Sequence, residues 1–516
     1  MATNVIEIPS PAVIPSTAED HSARSHWYAV SLGLITLFGA ILRIHAIASK
    51  SFWLDESISV EIARLPWRQF LFVLRHREAN MAFYYLLLRF WLAMGSTEGM
   101  VRGLSVLFSV ATIPVVYALG ARLFGRNAGL LAAWFLAINT YHVRYAQEAR
   151  GYALVVFFCA LASWLLVRNL QEPAAAWWGA YALASALAVY SHFFGALVIV
   201  AHGASLAFLP RSALPWRELR QTARWLAYLI LPAAIVVVTV GASSMRWIPA
   251  VSLSVVSNFL VAISGNGGKW LLSLYAIAVG AAIFGAVKEW RDAGRSIRGW
   301  GYALALTWFF VPVMLVLAVS AFRPFFLARY LNPCLPALTL LVAAGIVRLR
   351  PLVLAGVLAA AITVLSLFGT ASYYKSDFDL ERDNWRTATS FVLDRALPGD
   401  GVFFYTNFSH LPFEYYRSQR QPAPTWPEAL VAANGSDWGY RDSLFGYLAD
   451  EMQDAGPGGD RVWLVLYLNT NANGEPNRET EILRAVYGKG RHIVQERRIS
   501  RITIVLLARD PSHAAK

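Results

Sequence analysis

Long apolar runs alternate with short polar connectors along the first two thirds of the chain. A helix needs about 20 apolar residues to cross the hydrocarbon core of a bilayer, and somewhat fewer where it is short or half-exposed. Eleven such runs stand out, at 27–48, 102–121, 127–143, 152–169, 177–191, 193–209, 225–242, 269–287, 300–320, 332–347 and 351–369. The pattern predicts a polytopic α-helical membrane protein with about 11 transmembrane helices.

The connectors carry the signal for orientation, because cytoplasmic loops collect positive charge. Basic residues occur in every second connector, at Arg122, Arg126, Arg168, Arg211, Arg217, Arg220, Arg224, Lys288, Arg291, Arg295, Arg298, Arg348 and Arg350. This predicts a cytoplasmic N-terminus and an external C-terminal segment, provided that the stretch 81–95 does not cross. That stretch holds 15 residues and includes Arg89. We therefore expect interfacial or re-entrant helices in the first outer loop.

After Gly369 the chain becomes a mixture of polar and apolar residues. Strand-like runs at 402–406, 462–468 and 502–507 alternate with helix-like stretches at 385–395 and 480–487. We expect a disordered cytoplasmic tail over 1–26, a transmembrane domain over 27–369 and an extracytoplasmic α/β domain over 370–516. The last region is large enough to bury a core of its own.

The composition supports a membrane location and argues against a nucleic-acid partner. The chain is 57% hydrophobic and 15% charged, whereas soluble proteins carry roughly 25% charged residues. A net charge of +13 would suggest nucleic acid for a soluble protein, but these basic residues lie between spans, so no nucleic-acid partner is expected. Cys159 and Cys334 lie in or beside apolar spans without metal-ligand spacing, so neither a disulfide nor a zinc site is predicted.

Two adjacent carboxylates follow the first span, in the segment Ser51-Phe52-Trp53-Leu54-Asp55-Glu56-Ser57. The preceding aromatic residues are typical of a membrane interface. The acids fit an ordinary solvated loop. They also fit a general base at the mouth of a cavity, which removes a proton from an acceptor hydroxyl as that hydroxyl attacks an anomeric carbon. Asp55 and Glu56 are therefore the candidate catalytic residues.

Other connectors on the predicted outer side supply candidate binding residues. Charges at membrane depth are costly, and they tend to be paired or functional. Glu148 and Arg150 fit a local ion pair as well as they fit substrate contacts, and a lone histidine is more often structural than catalytic. Arg323 and Arg329 break the positive-inside rule, and a bound phosphate would explain them. The candidates are Arg77, Glu78, Glu148, Arg150, His192, Arg323, Arg329 and Tyr330.

Three of these segments resemble the C-type glycosyltransferase superfamily. They are Ser-Phe-Trp-Leu-Asp-Glu-Ser after the first span, Tyr-Ala-Gln-Glu-Ala-Arg-Gly-Tyr after the third, and Ala-Arg-Tyr-Leu-Asn-Pro before the tenth. The chain is similar in particular to the branch that contains protein O-mannosyltransferases and the aminoarabinose transferase of lipid A. The resemblance extends over roughly residues 27–350.

The resemblance implies an inverting transfer of a sugar, mannose-like or another hexose or pentose, from a polyprenyl-phosphate donor. The acceptor would be a glycan, a lipid or a protein on the outer face of the cell membrane. Asp55 would act as the base, and Arg329 with Tyr330 would hold the lipid phosphate. Phosphate is a good leaving group, so arginines that stabilise its developing charge suffice and no protein acid is required.

One departure from the family pattern concerns the phosphate ligands. Residue Glu78 falls where relatives carry an acidic or histidine residue, but the chain then reads Ala-Asn-Met where many relatives have a lysine or prolines. A phosphate-binding role of that lysine would fall here to Arg77 or Arg329. A divalent metal could serve instead, but no ligand set is apparent beyond Asp55 and Glu56. No cofactor is therefore assigned.

Three other functions remain as alternatives. A lipid-linked oligosaccharide ligase or polymerase would use a diphosphate donor, but such proteins usually place essential residues in one large late loop. A transporter or flippase would be expected to carry charges near the bilayer midplane and internal pseudo-symmetry. A receptor or scaffold would leave the clustered acids and arginines unexplained.

Overall fold

The computed structural model describes residues 18–76, 78–172, 175–240, 248, 250–375, 383–405, 407–425, 427–429, 460–467 and 478–510. Arg77 lies outside these residues, as do positions 1–17 of the predicted tail. The last positions of two predicted strands, Thr406 and Leu468, lie outside them as well.

Most of the described chain is helical. The helices are α1 (Ala18–Ile44), α2 (Leu54–Arg64), α3 (Trp67–His76), α4 (Ala82–Trp91), α5 (Glu98–Phe124), α6 (Arg126–Ile138), α7 (Thr140–Ala146), α8 (Tyr152–Gln171), α9 (Ala175–Ser191), α10 (Gly195–Leu206), α11 (Trp216–Val240), α12 (Leu253–Ile263), α13 (Gly268–Ala293), α14 (Ile297–Ser320), α15 (Leu335–Arg348), α16 (Leu352–Lys375), α17 (Trp385–Leu393), α18 (His410–Ser418) and α19 (Arg478–Gly488).

Each of the predicted spans coincides with one or two of these helices. Within the described residues, eight helices are long and apolar enough to cross a membrane. They are α1, α5, α8, α11, α13, α14, α15 with the 3-10 turn before it, and α16. The helices α6, α10 and α12 are apolar but shorter. The chain is therefore a multi-pass membrane protein, and the total of about 11 crossings stays a prediction.

Short helices fill the connection between α1 and α5. Helix α4 has ten residues, which span about 15 Å, or half the hydrocarbon core. Helix α3 buries Phe70 and Val73 and exposes its basic end at Arg75 and His76. Both features match the predicted interfacial helices of the first outer loop. The segment around Asp55, however, is not a loop, because α2 begins at Leu54.

The helices pack into one continuous apolar core. Helix α5 packs against α6 and α8, α10 packs against α14, and α15 packs against α13 and α6. The close contact of α13 with α15 depends on Gly345. A Cβ atom at this position would lie 1.9 Å from the carbonyl oxygen of Ala278, so any larger residue would force the two helices apart.

A mixed five-stranded sheet follows the helical region. Its strands are β1 (Gly401–Tyr405), β2 (Glu428–Ala429), β3 (Arg461–Tyr467), β4 (Arg491–Ile499) and β5 (Ile502–Arg509). Their order is β2-β1-β3-β5-β4, in which β1 runs parallel to β2 and β3, and β5 runs antiparallel to β3 and β4. The three predicted strands and the two predicted helices of this region are confirmed as β1, β3, β5, α17 and α19.

Both faces of the sheet are covered, as the alternation of side chains along a strand allows. Helices α17 and α18 pack on one face, where Trp385 and Phe413 meet Val402, Trp463 and Ile504. Tyr487 of α19 packs on the opposite face. Leu54 of α2 also packs against the first of these faces. The C-terminal region therefore contacts the residue that precedes Asp55.

Candidate active site

Asp55 lies in the first turn of α2, where three distant segments of the chain meet. Its carboxylate is 25% exposed, and two guanidinium groups approach its Oδ2 atom. Arg150 Nη2 and Arg329 Nη1 each lie 3.8 Å from this oxygen. The structure therefore brings together a candidate base and two candidate binding residues that the sequence places on separate connectors.

Arg150 lies in the turn between α7 and α8, and several groups orient its side chain. Its Nη1 atom donates to the Tyr85 hydroxyl at 3.1 Å. The same atom lies 3.4 Å from the carbonyl oxygen of Asp55 and 3.4 Å from the hydroxyl of Ser59. A guanidinium with this many partners is fixed in one orientation, so Arg150 can present a preorganised charge beside Asp55.

A second carboxylate, Glu78, joins these residues through Tyr85. The Tyr85 hydroxyl lies 3.5 Å from Oε2 of Glu78. Burial raises the pKa of Glu78; the charge of Arg150 opposes that increase, and the negative charge of Asp55 adds to it. We refer to these five residues as the Asp55 cluster: Asp55, Glu78, Tyr85, Arg150 and Arg329.

Aromatic rings border the cluster on the side of Arg329. The guanidinium carbon of Arg329 lies 5.4 Å from the ring centre of Trp53 and 5.6 Å from that of Tyr330. The ring of Tyr330 in turn lies 4.8 Å from His192 and 4.9 Å from Phe194. Cation–π contacts of this kind hold a guanidinium while leaving its planar edge able to donate hydrogen bonds.

His192 is a buried part of this border. It is 1% exposed, and its Nδ1 atom accepts from the backbone N–H of Phe194 at 3.2 Å. Burial lowers the pKa of His192 to about 3, and the charges of Arg150 and Arg329 act in the same direction. The imidazole is therefore neutral at physiological pH, which suits a packing and hydrogen-bonding role.

Glu56 occupies a different environment from its neighbour. Its carboxylate is fully buried and accepts two hydrogen bonds from Arg102, to Oε1 at 2.8 Å and to Oε2 at 2.7 Å. The backbone N–H of Ala149 donates to Oε1 at 2.9 Å. Successive side chains on a helix point about 100° apart. Glu56 consequently points into the protein, while Asp55 remains partly exposed.

Two other predicted site residues, Glu148 and Arg323, have different environments. Glu148 is 2% exposed and lies 3.7 Å from Arg144, one helical turn earlier. This differs from the predicted local pair of Glu148 with Arg150, because Arg150 points to Asp55 instead. Arg323 is exposed just beyond the end of α14, whereas the cluster residues are partly or fully buried.

Sequence reasoning missed two residues that shape the site. Arg102 opens the second predicted span, and an arginine in an apolar run is a signal that could have been used. Tyr85 lies among other aromatic residues of α4 and carries no comparable signal. Among the residues that the structure describes, no group of three or more histidine, cysteine or acidic side chains is arranged to hold a metal ion.

Comparison with known proteins gives a family match and several matches of fold. The model of a family described as dolichyl-phosphate-mannose-protein mannosyltransferase matches residues 78–241. None of the curated proteins compared with the chain matches it significantly. The family match includes Glu78, Tyr85, Arg102 and Arg150.

Solved structures resemble the fold along nearly the whole chain. ArnT from Cupriavidus metallidurans in the apo state superimposes with a TM-score of 0.62 and 13% identity, over 94% of this chain and 98% of that one. ArnT bound to undecaprenyl phosphate gives 0.61 and 14%, over 92% and 98%. The archaeal oligosaccharyltransferase AglB from Archaeoglobus fulgidus, in complex with an inhibitory peptide and a dolichol-phosphate, gives 0.56 and 10%, over 95% and 75%.

These matches support a multi-pass membrane protein with the fold of a membrane glycosyltransferase. Residues 78–241 are thus similar to the mannosyltransferase family, and the fold is similar to those of ArnT and AglB. The resemblance found in its connector motifs is thereby confirmed.

Proposed function

We propose that this protein transfers a sugar from a polyprenyl-phosphate donor to an acceptor hydroxyl, with Asp55 as the general base. The observation that carries the proposal is the meeting of Arg150 and Arg329 at the Asp55 carboxylate, each at 3.8 Å. A base and the ligands of an anionic leaving group are the two elements that this displacement needs.

The donor phosphate binds Arg329 and Arg150 in this mechanism. A planar guanidinium matches two phosphate oxygens at once. Support comes from ArnT, which has a similar fold and has been solved with undecaprenyl phosphate bound. Tyr330 and Trp53 border Arg329 and would pack against the sugar or the first isoprene units.

At the anomeric carbon the reaction forms one bond and breaks one, and one proton moves from the acceptor to Asp55. The acceptor oxygen attacks the anomeric carbon, and its proton passes to the Asp55 carboxylate. The bond between that carbon and the phosphate oxygen breaks, and polyprenyl phosphate leaves with the electron pair. The configuration at the anomeric carbon inverts. Arg150 and Arg329 stabilise the charge that develops on the phosphate, so no protein acid is required.

Glu56 has a structural role in this proposal. Its two oxygens are engaged by Arg102 and by the amide of Ala149, so it holds the start of α2 against α5. Glu78 has a raised pKa and contacts Tyr85. It therefore helps to orient Arg150 through the Tyr85 hydroxyl, which both residues contact.

The proposed reaction takes place on the outer face of the membrane. The basic connectors lie at the opposite ends of the helices from Asp55, and two of them are joined by the contact of Arg122 with Glu172. The positive-inside rule then makes the N-terminus cytoplasmic and the sheet region extracytoplasmic. The acceptor, whether glycan, lipid or protein, would approach from that outer side.

A transfer assay in membranes tests the proposal. Membranes that contain the full-length protein are supplied with undecaprenyl phosphate carrying radiolabelled mannose, glucose or aminopentose. We expect label to move into a product that is stable to the mild acid that cleaves the donor. Asp55→Asn should lower the rate by a factor of about 10² to 10⁴, while undecaprenyl phosphate still binds.

The controls separate this function from its rivals. Glu172→Gln removes a carboxylate from the basic end of the helices and should leave transfer unchanged. Transfer from diphosphate donors alone would identify a lipid-linked oligosaccharide ligase. Movement of intact donor across the bilayer without a labelled product would identify a transporter, and either result would overturn the proposal.

A further inference from the structure

The segment that carries Asp55 is bound on two sides by different parts of the chain. On one side Arg102 of α5 donates to the carbonyl oxygens of Ile47 at 2.7 Å, Lys50 at 2.9 Å and Ser51 at 3.1 Å. These are carbonyl groups of the short connection between α1 and α2. A single buried arginine therefore holds the segment that leads into α2.

On the opposite side the contacts come from the C-terminal region. Arg386 of α17 donates through Nη2 to the carbonyl oxygen of Ala48 at 2.7 Å. Its backbone N–H donates to the hydroxyl of Ser51 at 3.1 Å. The guanidinium also forms an ion pair with Glu98, at the start of α5. The connection is thus held between two arginines that belong to different regions of the protein.

Tyr416 of α18 completes these contacts close to Asp55. Its hydroxyl accepts from the backbone N–H of Phe52 at 2.7 Å, lies 3.2 Å from the Ser51 hydroxyl and donates to Glu98. Phe52 is fully buried, so its amide has no access to water as a replacement partner. Removing an acceptor from a buried donor costs more than the hydrogen bond itself contributes.

We propose that Glu98, Arg386 and Tyr416 form a latch by which the C-terminal region positions Asp55 for proton transfer. Glu98 binds both Arg386 and Tyr416, and these two residues bind the segment 48–52. Asp55 follows three residues after Phe52, in the first turn of α2. None of the latch residues touches the reacting atoms, so they are positioning residues, and this inference rests on the function proposed for Asp55.

The latch gives the sheet region a role in catalysis although it supplies none of the proposed reacting groups. Leu54 packs against the same face of the sheet that carries α17 and α18. Two contacts with the C-terminal region, at Phe52 and at Leu54, thus lie within three residues before Asp55 in the chain. Displacement of a catalytic group by about 1 Å can cost a factor of about 10² in rate.

Two adjacent tyrosines of α18 provide a matched test. Tyr416→Phe keeps the ring and removes the hydroxyl that binds Phe52 and Glu98. Tyr415→Phe is the control. Its hydroxyl donates to the carbonyl oxygen of Ser96 at 2.8 Å, and its ring contact with Phe52, at 4.7 Å between centres, is kept. Glu98→Gln is a second variant that weakens the latch without changing its shape.

The first measurement is hydrogen–deuterium exchange of the full-length protein in detergent. Peptides that cover residues 48–55 should exchange faster in Tyr416→Phe and Glu98→Gln than in the wild type or in Tyr415→Phe. Peptides from α13 should be unchanged, which verifies the fold. This measurement needs neither donor nor acceptor, so it tests the latch even if the proposed reaction is wrong.

The second measurement is turnover with the labelled donor, together with binding of undecaprenyl phosphate. We expect kcat to fall about 10- to 100-fold in Tyr416→Phe, with KM for the donor and the affinity for undecaprenyl phosphate unchanged, because Arg150 and Arg329 are untouched. Tyr415→Phe should keep wild-type kcat. A general loss of folding would instead lower kcat and undecaprenyl phosphate binding together.

Failure of the latch and failure of the proposed function give different results. Unchanged exchange at residues 48–55 in Tyr416→Phe overturns the latch, and so does faster exchange with wild-type kcat. A wild-type protein that binds no undecaprenyl phosphate and transfers no label overturns the function itself. That result would appear before any variant is compared.

Discussion

The two ends of the helix bundle both carry arginines, but they use them differently. At the end with Asp55, Arg102 and Glu56 are 1% and 0% exposed and form a two-point ion pair. At the basic end, Arg122 and Glu172 are 27% and 58% exposed, with 3.3 Å between their nearest atoms. Buried charges are kept only where packing and hydrogen bonds compensate them, whereas exposed ones need no such arrangement.

The comparison distinguishes two groups of arginines. Those at the basic end bear on the orientation of the protein in the membrane, and those at the other end form the site around Asp55. The arginines of the basic end satisfy the positive-inside rule simply by being present in the connectors. The arginines around Asp55 depend on a fixed side-chain position, because each contacts several partners. Substitutions at the two ends should therefore differ in size and in kind, and the following predictions test this difference in order of decreasing effect.

Breaking the buried ion pair should have the largest effect on stability. Glu56→Gln leaves the charge of Arg102 buried without a counter-charge, which typically costs about 3–5 kcal/mol. The measurement is the free energy of unfolding in mixed micelles. Asp55→Asn, one residue away, is the comparison: its carboxylate is partly exposed and its two arginines lie at 3.8 Å, so it should cost less stability while lowering transfer by a factor of about 10² to 10⁴. Equal stability of the two variants would contradict the separation of a structural and a catalytic carboxylate.

Removing a side chain that binds the donor phosphate should have the second-largest effect. Arg329→Ala loses a charge-assisted contact to the donor phosphate, which is worth about 1.5–3 kcal/mol. Arg329→Lys keeps the charge but loses the planar fork, so its loss of affinity should be smaller. Affinity for undecaprenyl phosphate is the measurement. Wild-type affinity in a normally folded Arg329→Ala protein would place the phosphate site elsewhere, with Arg150 the next residue to test.

The turn that carries Arg150 should tolerate no side chain at its next residue. A Cβ atom at Gly151 would lie 2.4 Å from the carbonyl oxygen of Ser191. Gly151→Ala must therefore shift the end of α9 or the turn itself, at a cost of about 1–3 kcal/mol. Gly203→Ala is the matched control, because a Cβ atom there meets nothing within 4 Å. We expect reduced transfer and stability for the first variant only.

How far the sequence alone predicts this molecule depends on how local each feature is. The apolar runs were found because a span is a property of about 20 consecutive residues. Helix α12 was missed because its 11 residues are too few for that test. Strand β4 was missed because its residues are polar and largely exposed, so its conformation comes from pairing with β5 and not from an apolar pattern.

The same distinction explains which parts of the site were predicted. Connectors on one side of the membrane must lie at the same end of the bundle, so the placement of Asp55, Arg150 and Arg329 at one end follows from counting spans, whereas their contacts at 3.8 Å do not. The burial of Glu56 does not follow, because it depends on how α2 is rotated against α5. The contacts of Tyr416 depend on docking of the C-terminal region, for which the sequence contains no local signal.

The raised pKa of Glu78 should make stability depend on pH. Its ordinary value is 4.5 and burial raises it, so the folded protein retains a proton that the unfolded chain has lost. The stability contributed by this protonation is complete below pH 4.5 and is lost as the pH rises through the raised pKa. Between pH 4.5 and 7, thermal unfolding of Glu78→Gln should therefore depend less on pH than that of the wild type. Parallel pH curves for the two proteins would refute the assignment.

The smallest effect is expected at the basic end. Arg122→Ala removes hydrogen bonds to Gln171 at 3.0 Å and to Glu172 at 3.3 Å. Both charges are partly exposed, and Glu172 keeps Arg168 at 3.8 Å. Exposed pairs of this kind contribute about 0.2–1 kcal/mol.

Transfer activity of Arg122→Ala should equal that of the wild type, because the residue lies at the opposite end of α5 from Arg102. Its unfolding free energy should differ by less than that of any variant at the Asp55 end, and the difference should shrink further at high salt, since solvent-exposed charges are screened. A loss as large as that of Glu56→Gln, unaffected by salt, would mean that Arg122 is a buried structural arginine too. The two ends of the helix bundle would then both contain buried structural arginines, and they would differ only in that one of them contains the proposed active site.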